Sequence, residues 1–86
     1  MAKVTIYSSD YCPYCQRAKA LLQAHGVTDY DEIVVDGKPD VRAAMTARTG
    51  RTSVPQIYIG ETHVGGCDDL HALDARGGLL PLLQQS

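Results

Sequence analysis

The sequence is sparing with cysteine, with net charge and with long apolar runs, and each shortage excludes a class of protein. Three cysteines in 86 residues are too few, and odd in number, for the multi-disulfide framework of a small secreted scaffold. No apolar stretch approaches the roughly 20 residues that span a bilayer. The opening residues, MAKVTIYSS, lack the apolar core of a secretory signal. The expectation is a cytosolic location away from membranes, where a persistent structural disulfide would be unusual. A formal charge of −2, with acids and bases interspersed, leaves no basic footprint for nucleic acid. Internal repeats, low-complexity stretches and linker-like segments are absent as well. The length allows one domain, residues 1–86, with a thin core that buries about 60% of the unfolded chain's surface.

What is present is an orderly succession of short elements. Lys3–Ser8 alternates and is rich in β-branched and aromatic residues, which predicts a first strand. From Pro13 to His25 the period becomes helical, with Tyr14, Ala18, Leu21 and Leu22 on one face and Gln16, Lys19 and Gln23 on the other. Pro13 suits the first helical position and Gly26 the residue past the end. A second strand is expected at Tyr30–Val35, then a helix from Pro39 to Arg48 stopped by Gly50. Gln56–Ile59 and Thr62–Val64, separated by Gly60-Glu61, read as a hairpin. Cys67–Arg76 reads as a helix with Leu70 and Leu73 inward, and a short helix is expected at Leu79–Leu83. This order demands a parallel first strand pair joined by a crossover helix, then an antiparallel hairpin: an α/β sheet with helices on both faces.

The chemistry concentrates at Cys12-Pro13-Tyr14-Cys15, where the first strand gives way to the first helix. Free backbone N–H groups and the positive dipole end at a helix N-terminus favour a thiolate at Cys12. Cys15 lies one turn further in, so the two sulfurs face each other. An exposed thiolate beside a second thiol is what thiol–disulfide exchange needs, with Cys12 attacking and Cys15 resolving. Two plainer readings compete. The pair is also half of a zinc site if Cys67 and His71 supply the other half, although zinc half-sites favour Gly-rich or polar knuckles over a strand-to-helix turn with proline. Alternatively, the cysteines merely pack.

Three stretches together, Cys12-Pro13-Tyr14-Cys15, Ser53-Val54-Pro55-Gln56-Ile57 and Gly65-Gly66-Cys67-Asp68-Asp69-Leu70, closely resemble the glutaredoxin family, in particular its small dithiol bacterial members. The resemblance implies a thioredoxin-like fold with a four-stranded mixed sheet, and electrons drawn from glutathione. It implies that Pro55 is a cis-proline presenting the Val54 backbone, beside Ser53, to glutathione's cysteine; the plain alternative is a trans proline opening a strand. It implies that Gly66, Cys67 and Asp68 take the γ-glutamyl end at a helix N-terminus, where Asp68 and Asp69 are otherwise simple helix caps. Tyr14 would pack beside the tripeptide, or else be a core aromatic.

One departure from the family pattern stands out. Where the family often has lysine three residues before the nucleophile, this chain has Ser9, which leaves Arg42, and secondarily Arg17, to meet glutathione's glycine carboxylate. Cys67 reads most plainly as a small, partly buried residue, with glutathionylation or oxidation as side reactions. His25, His63 and His71 have no supporting constellation. The expected activity is reduction of protein–glutathione mixed disulfides and protein disulfides by a monomer without metal, ribonucleotide reductase being a family possibility among its partners. The alternatives are a redoxin served by thioredoxin reductase and a glutathione-ligated iron–sulfur carrier, the latter disfavoured by Pro13 after the nucleophile.

Overall fold

Alternation decides which way each strand faces. In the computed structural model of the protein, which describes residues 2–85, β1 (Val4–Ser8) turns Val4 and Ile6 into one apolar cluster and Tyr7 into another. Strand β3 (Gln56–Ile59) does the same, Ile57 and Ile59 joining the first cluster and Tyr58 the second. The other elements are α1 (Pro13–Ala24), β2 (Asp31–Val34), α2 (Pro39–Thr49), β4 (Thr62–Gly65), α3 (Cys67–Ala75) and α4 (Leu79–Leu83). The strands form one mixed sheet in the order β2-β1-β3-β4. β1 pairs in parallel with β2, Thr5 opposite Asp31, and antiparallel with β3, Ile6 opposite Ile57. β3 and β4 close the sheet as an antiparallel hairpin.

Helices cover both faces, as the element order demands. Ala18 and Leu22 of α1, Leu70 of α3 and Leu79 and Leu83 of α4 pack on Val4, Ile6, Ile57 and Ile59. On the opposite face Met45 of α2 packs with Tyr7, Val35 and Tyr58. Each of the buried Val, Ile, Leu and Met side chains contributes about 1.5–3 kcal/mol relative to an exposed position. The buried stripe of α1 is Cys15, Ala18 and Leu22. Tyr14, placed on the inner face by periodicity, is instead 54% exposed, because Cys15 takes the inward position of the first turn.

Strand β2 is shorter than the expected Tyr30–Val35. It is an outer strand paired on one side only, and its ladder with β1 runs from Asp31 to Val34. Val35 leaves the strand and buries itself in the second cluster. Helix α2 ends where expected, with Gly50 in the left-handed region (φ +75°) closing its last turn. At the far end of the sheet the Ala2 N–H donates to the Leu83 carbonyl (2.9 Å), and the Gly60 N–H donates to the Lys3 carbonyl (2.6 Å). β1 therefore starts beside the end of α4 and points its other end at the cysteine pair.

Candidate active site

The route from β1 to the N-cap of α1 is a three-residue loop, Ser9 to Tyr11, held by one carboxylate. Ser9 Oγ donates to Asp36 Oδ1 (2.6 Å), the Asp10 N–H donates to Asp36 Oδ2 (2.8 Å), and the Tyr11 N–H reaches Ser9 Oγ (3.4 Å). The Ser9 hydroxyl, and then the Asp10 amide, hold the Asp36 carboxyl below the ordinary carboxylate range. Ser9, at the place where the family often has lysine, thus anchors the loop by hydrogen bonds. The Cys12 N–H then closes a turn on the Ser9 carbonyl (3.3 Å).

Cys12 is the N-cap of α1, in extended conformation, with Pro13 opening the helix behind it. Its sulfur accepts the Cys15 N–H (3.2 Å), and its thiol points at the Val54 carbonyl (3.7 Å). All three cysteines are free thiols. The first two are unequal: Cys12 is half-buried, whereas Cys15 is fully buried beneath it. Burial first, and then the hydrogen bond to Cys12, push the Cys15 thiol up to about 12. The Val54–Pro55 peptide is cis, as the resemblance implies.

Opposite the cysteines, β4 turns into α3 through two glycines. Gly65 has φ +114°, and a Cβ there would fall 2.3 Å from Asp69 Oδ2, so neither the backbone nor the space admits a side chain. That carboxylate reaches back to the Gly66 N–H (2.9 Å) and also binds Arg51 Nη1 (2.9 Å). The amide, then the guanidinium, hold the Asp69 carboxyl below its ordinary range. A cleft of about 230 Å³ is lined by Tyr14, Arg51, Ser53, Val54, Pro55, Gly66, Cys67, Asp68 and Asp69.

Seven of the residues singled out in the sequence for glutathione therefore meet around one cleft: Tyr14, Ser53, Val54, Pro55, Gly66, Cys67 and Asp68. Arg42 is not among the lining residues. Its Nη1 donates to the Thr52 carbonyl (2.7 Å), next to Ser53, and its charge acts on Asp36. Arg17 sits over the Tyr14 ring, 5.6 Å from the centroid. Of the two acidic residues opening α3, Asp69 is the cap, while Asp68 stays exposed at the cleft. Cys67 is 5% exposed, packed in the larger core with its thiol raised by burial.

His71, the other half of the zinc alternative, is exposed on the outside of α3. Among the described residues no three His, Cys, Asp or Glu side chains gather as metal ligands would. A larger hollow, about 410 Å³, lies at the far end of the sheet beside Lys3, Gly26 and Asp29 and holds no cysteine.

Arg51 escaped sequence reading, since its reach to Asp69 depends on the fold bringing two loops together. Asp69 had a signal: an acid three residues after an N-cap is a capping pattern. Gln56 had none. Fully buried, its amide donates to the Ser53 carbonyl (3.0 Å), while its Oε1 faces His63 Nε2 (2.8 Å), which fixes the cleft wall from behind. Below Cys15, Lys19 Nζ pairs with Glu32 Oε2, which also accepts the Ser8 hydroxyl (2.6 Å). The pair holds the Glu32 carboxyl below and the Lys19 ammonium above their ordinary values.

Comparison with known proteins agrees with this geometry. The glutaredoxin family model matches residues 4–64. A glutaredoxin of Pseudomonas aeruginosa is 60% identical over 83 residues, covering 96% of this chain and 98% of its own. Glutaredoxin 3 of Escherichia coli is 58% identical over 84 residues, covering 98% of this chain and all of its own (100%). Among solved structures, a buckwheat glutaredoxin–glutathione complex superposes with a TM-score of 0.85 at 35% identity, covering 95% of this chain and 76% of that one. No helix of the described residues is long and apolar enough to cross a membrane. The fold is thioredoxin-like, and the chain belongs to the glutaredoxin family of thiol–disulfide oxidoreductases.

Proposed function

We propose that the chain, acting as one domain and as a monomer in the cytoplasm, is a glutathione-dependent oxidoreductase that reduces protein–glutathione mixed disulfides and protein disulfides. One observation carries the reading. The accessible Cys12 sulfur sits at a helix N-terminus, facing the Val54 carbonyl, at the edge of a cleft that leads to the N-terminus of α3. A glutathione extended along Val54 would bring the main chain of its cysteine to the Val54 backbone and its γ-glutamyl carboxylate to the α3 amides. Asp68 would pair with its ammonium group, and Tyr14 would flank the tripeptide. At the other end Arg42, whose guanidinium holds the Thr52 carbonyl next to Ser53, would meet the glycine carboxylate. That a related glutaredoxin is known in complex with glutathione supports the choice of donor.

In the proposed cycle the Cys12 thiolate attacks the glutathione sulfur of a glutathionylated protein, and the protein thiolate leaves and takes a proton. A second glutathione thiolate attacks the Cys12 mixed disulfide; oxidised glutathione departs and Cys12 is restored. With a protein disulfide, Cys12 forms the mixed disulfide and Cys15 closes on it. The test is turnover of a glutathionylated peptide with glutathione, glutathione reductase and NADPH. Cys12→Ser abolishes turnover, and Cys15→Ser retains it. Reduction driven by thioredoxin reductase with none from glutathione would overturn the donor, and loss of turnover in Cys15→Ser would overturn the division of labour.

A further inference from the structure

The resolving half of that cycle presents a difficulty that the cleft does not address. To close on a Cys12 mixed disulfide, Cys15 must ionise, yet it is fully buried and its thiol is pushed up to about 12. The groups acting on it are few. Cys12 above disfavours its charged form while that sulfur is free, and the Ser9 backbone and Lys19 favour it. Lys19 stands four residues on, hence one turn along the same helix. Its side chain is only 13% exposed, folded inward and tied to Glu32 on β2, which the buried Ser8 hydroxyl also holds. Glu32, Tyr30 and Cys15 are the titratable groups that act on the ammonium. A long cationic side chain ordinarily extends into water; this one is pinned on a carboxylate, one helical turn from a thiol that must become an anion.

We propose that Lys19 is a positioning residue for the resolving thiol: held by Glu32 and Ser8, its ammonium stabilises the Cys15 thiolate that closes on the Cys12 mixed disulfide. The inference rests on Cys15 being the resolving cysteine. In the step, Cys15 gives its proton to water and its sulfur attacks Cys12 Sγ. The bond from Cys12 to the substrate sulfur breaks, and the substrate thiolate leaves with the electron pair and takes up a proton. Two enzyme thiols are oxidised to one disulfide, and the substrate disulfide is reduced to two thiols. Once Cys12 is in the mixed disulfide its sulfur is neutral, so its opposition to a Cys15 anion disappears and the pull of Lys19 remains.

The two partners of the ion pair make opposite predictions. Removing the ammonium (Lys19→Met) takes away the attraction; removing its counter-charge (Glu32→Gln) leaves the ammonium uncompensated and strengthens it. Losing the ammonium lowers the thiolate fraction but makes the remaining thiolate more nucleophilic, which offsets about half of the loss on a logarithmic scale, so closure is expected to slow roughly threefold in Lys19→Met. The experiment mixes the reduced protein with one equivalent of dithiodipyridine in a stopped-flow instrument, so that Cys12 consumes the reagent and none is left for the third free thiol, Cys67. Attack by Cys12 releases one pyridinethione and ring closure by Cys15 releases a second, so the slower release reads the step. Closure is expected to slow in Lys19→Met, to quicken in Glu32→Gln and to stay near wild type in Lys19→Arg, with the thermal midpoint of each variant recorded alongside. If both variants slow closure, the pair is only structural and the inference falls; equal rates in all variants overturn it equally. If Cys15→Ser still releases the second pyridinethione, the resolving role itself fails, a result distinct from either.

Discussion

Alanine at Gly65 would set two demands against each other at one atom. Gly65 holds φ +114°, a conformation that costs an L-residue on the order of 1–3 kcal/mol. The new methyl would also lie 2.3 Å from Asp69 Oδ2, so the carboxylate must swing away. It then loses the Gly66 amide, a cap worth about 1 kcal/mol, and the Arg51 pair, which is half exposed and contributes no more than about 1 kcal/mol. Gly65→Ala is therefore expected to lose about 2–5 kcal/mol. For a domain this small that lowers the thermal midpoint by roughly 10–30 °C. Gly66→Ala is the control: its φ is ordinary, and a Cβ there meets the Pro55 carbonyl at 3.5 Å, normal contact, so stability changes little. The chain contains no tryptophan, so unfolding is best followed by far-UV circular dichroism in urea and by calorimetry. Equal midpoints for Gly65→Ala and wild type would refute the reasoning, as would equal losses at Gly65 and Gly66.

Two further outcomes are expected. Burial, and then the charge of Arg51, hold His63 below its ordinary imidazole value of 6.5, so the unfolded chain takes up that proton first as pH falls. The His63 contribution to stability is complete above 6.5 and is lost as pH falls through the folded value. Urea midpoints between about pH 5 and 6.5 should decline more steeply in wild type than in His63→Gln, and parallel curves would contradict this. Asp36→Asn exchanges one acceptor of the Ser9–Tyr11 loop for an amide that faces the Asp10 N–H. Misaiming Cys12 should cost roughly tenfold in kcat/KM for a glutathionylated peptide. Unchanged kinetics would show that the loop does not depend on Asp36.

Most of the architecture was readable from local signals. Pro13 and Gly26 bracketed α1, and Gly60-Glu61 marked the hairpin. The alternation of Val4, Ile6, Ile57 and Ile59 aimed two strands at one core. Errors arose where position in the fold decided. Period alone put Tyr14 inside, but only packing revealed that Cys15 fills the inward place. Residues whose role is contact across the fold stayed invisible: Arg51 on Asp69, Gln56 under Ser53, Lys19 on Glu32. Each joins segments between 3 and 18 residues apart in sequence, and no periodicity reports a hydrogen bond across a loop or a sheet. Arg42 illustrates the converse. A charge on an exposed helix face is ordinarily just solvated, and only its reach to Thr52 ties it to the cleft loop.

The hydrogen bond from Ala2 to Leu83 bears on how this chain tolerates attachment. Both ends of the described chain meet at the foot of β1, while Cys12 follows its opposite end, a five-residue strand of about 17 Å and a loop away. A label, a sensor domain or a tether joined at either end would project from the side opposite the reactive sulfur. A short linker joining the two ends would span little distance, so new termini opened at an exposed turn such as Gly60-Glu61 should leave the cysteine face untouched.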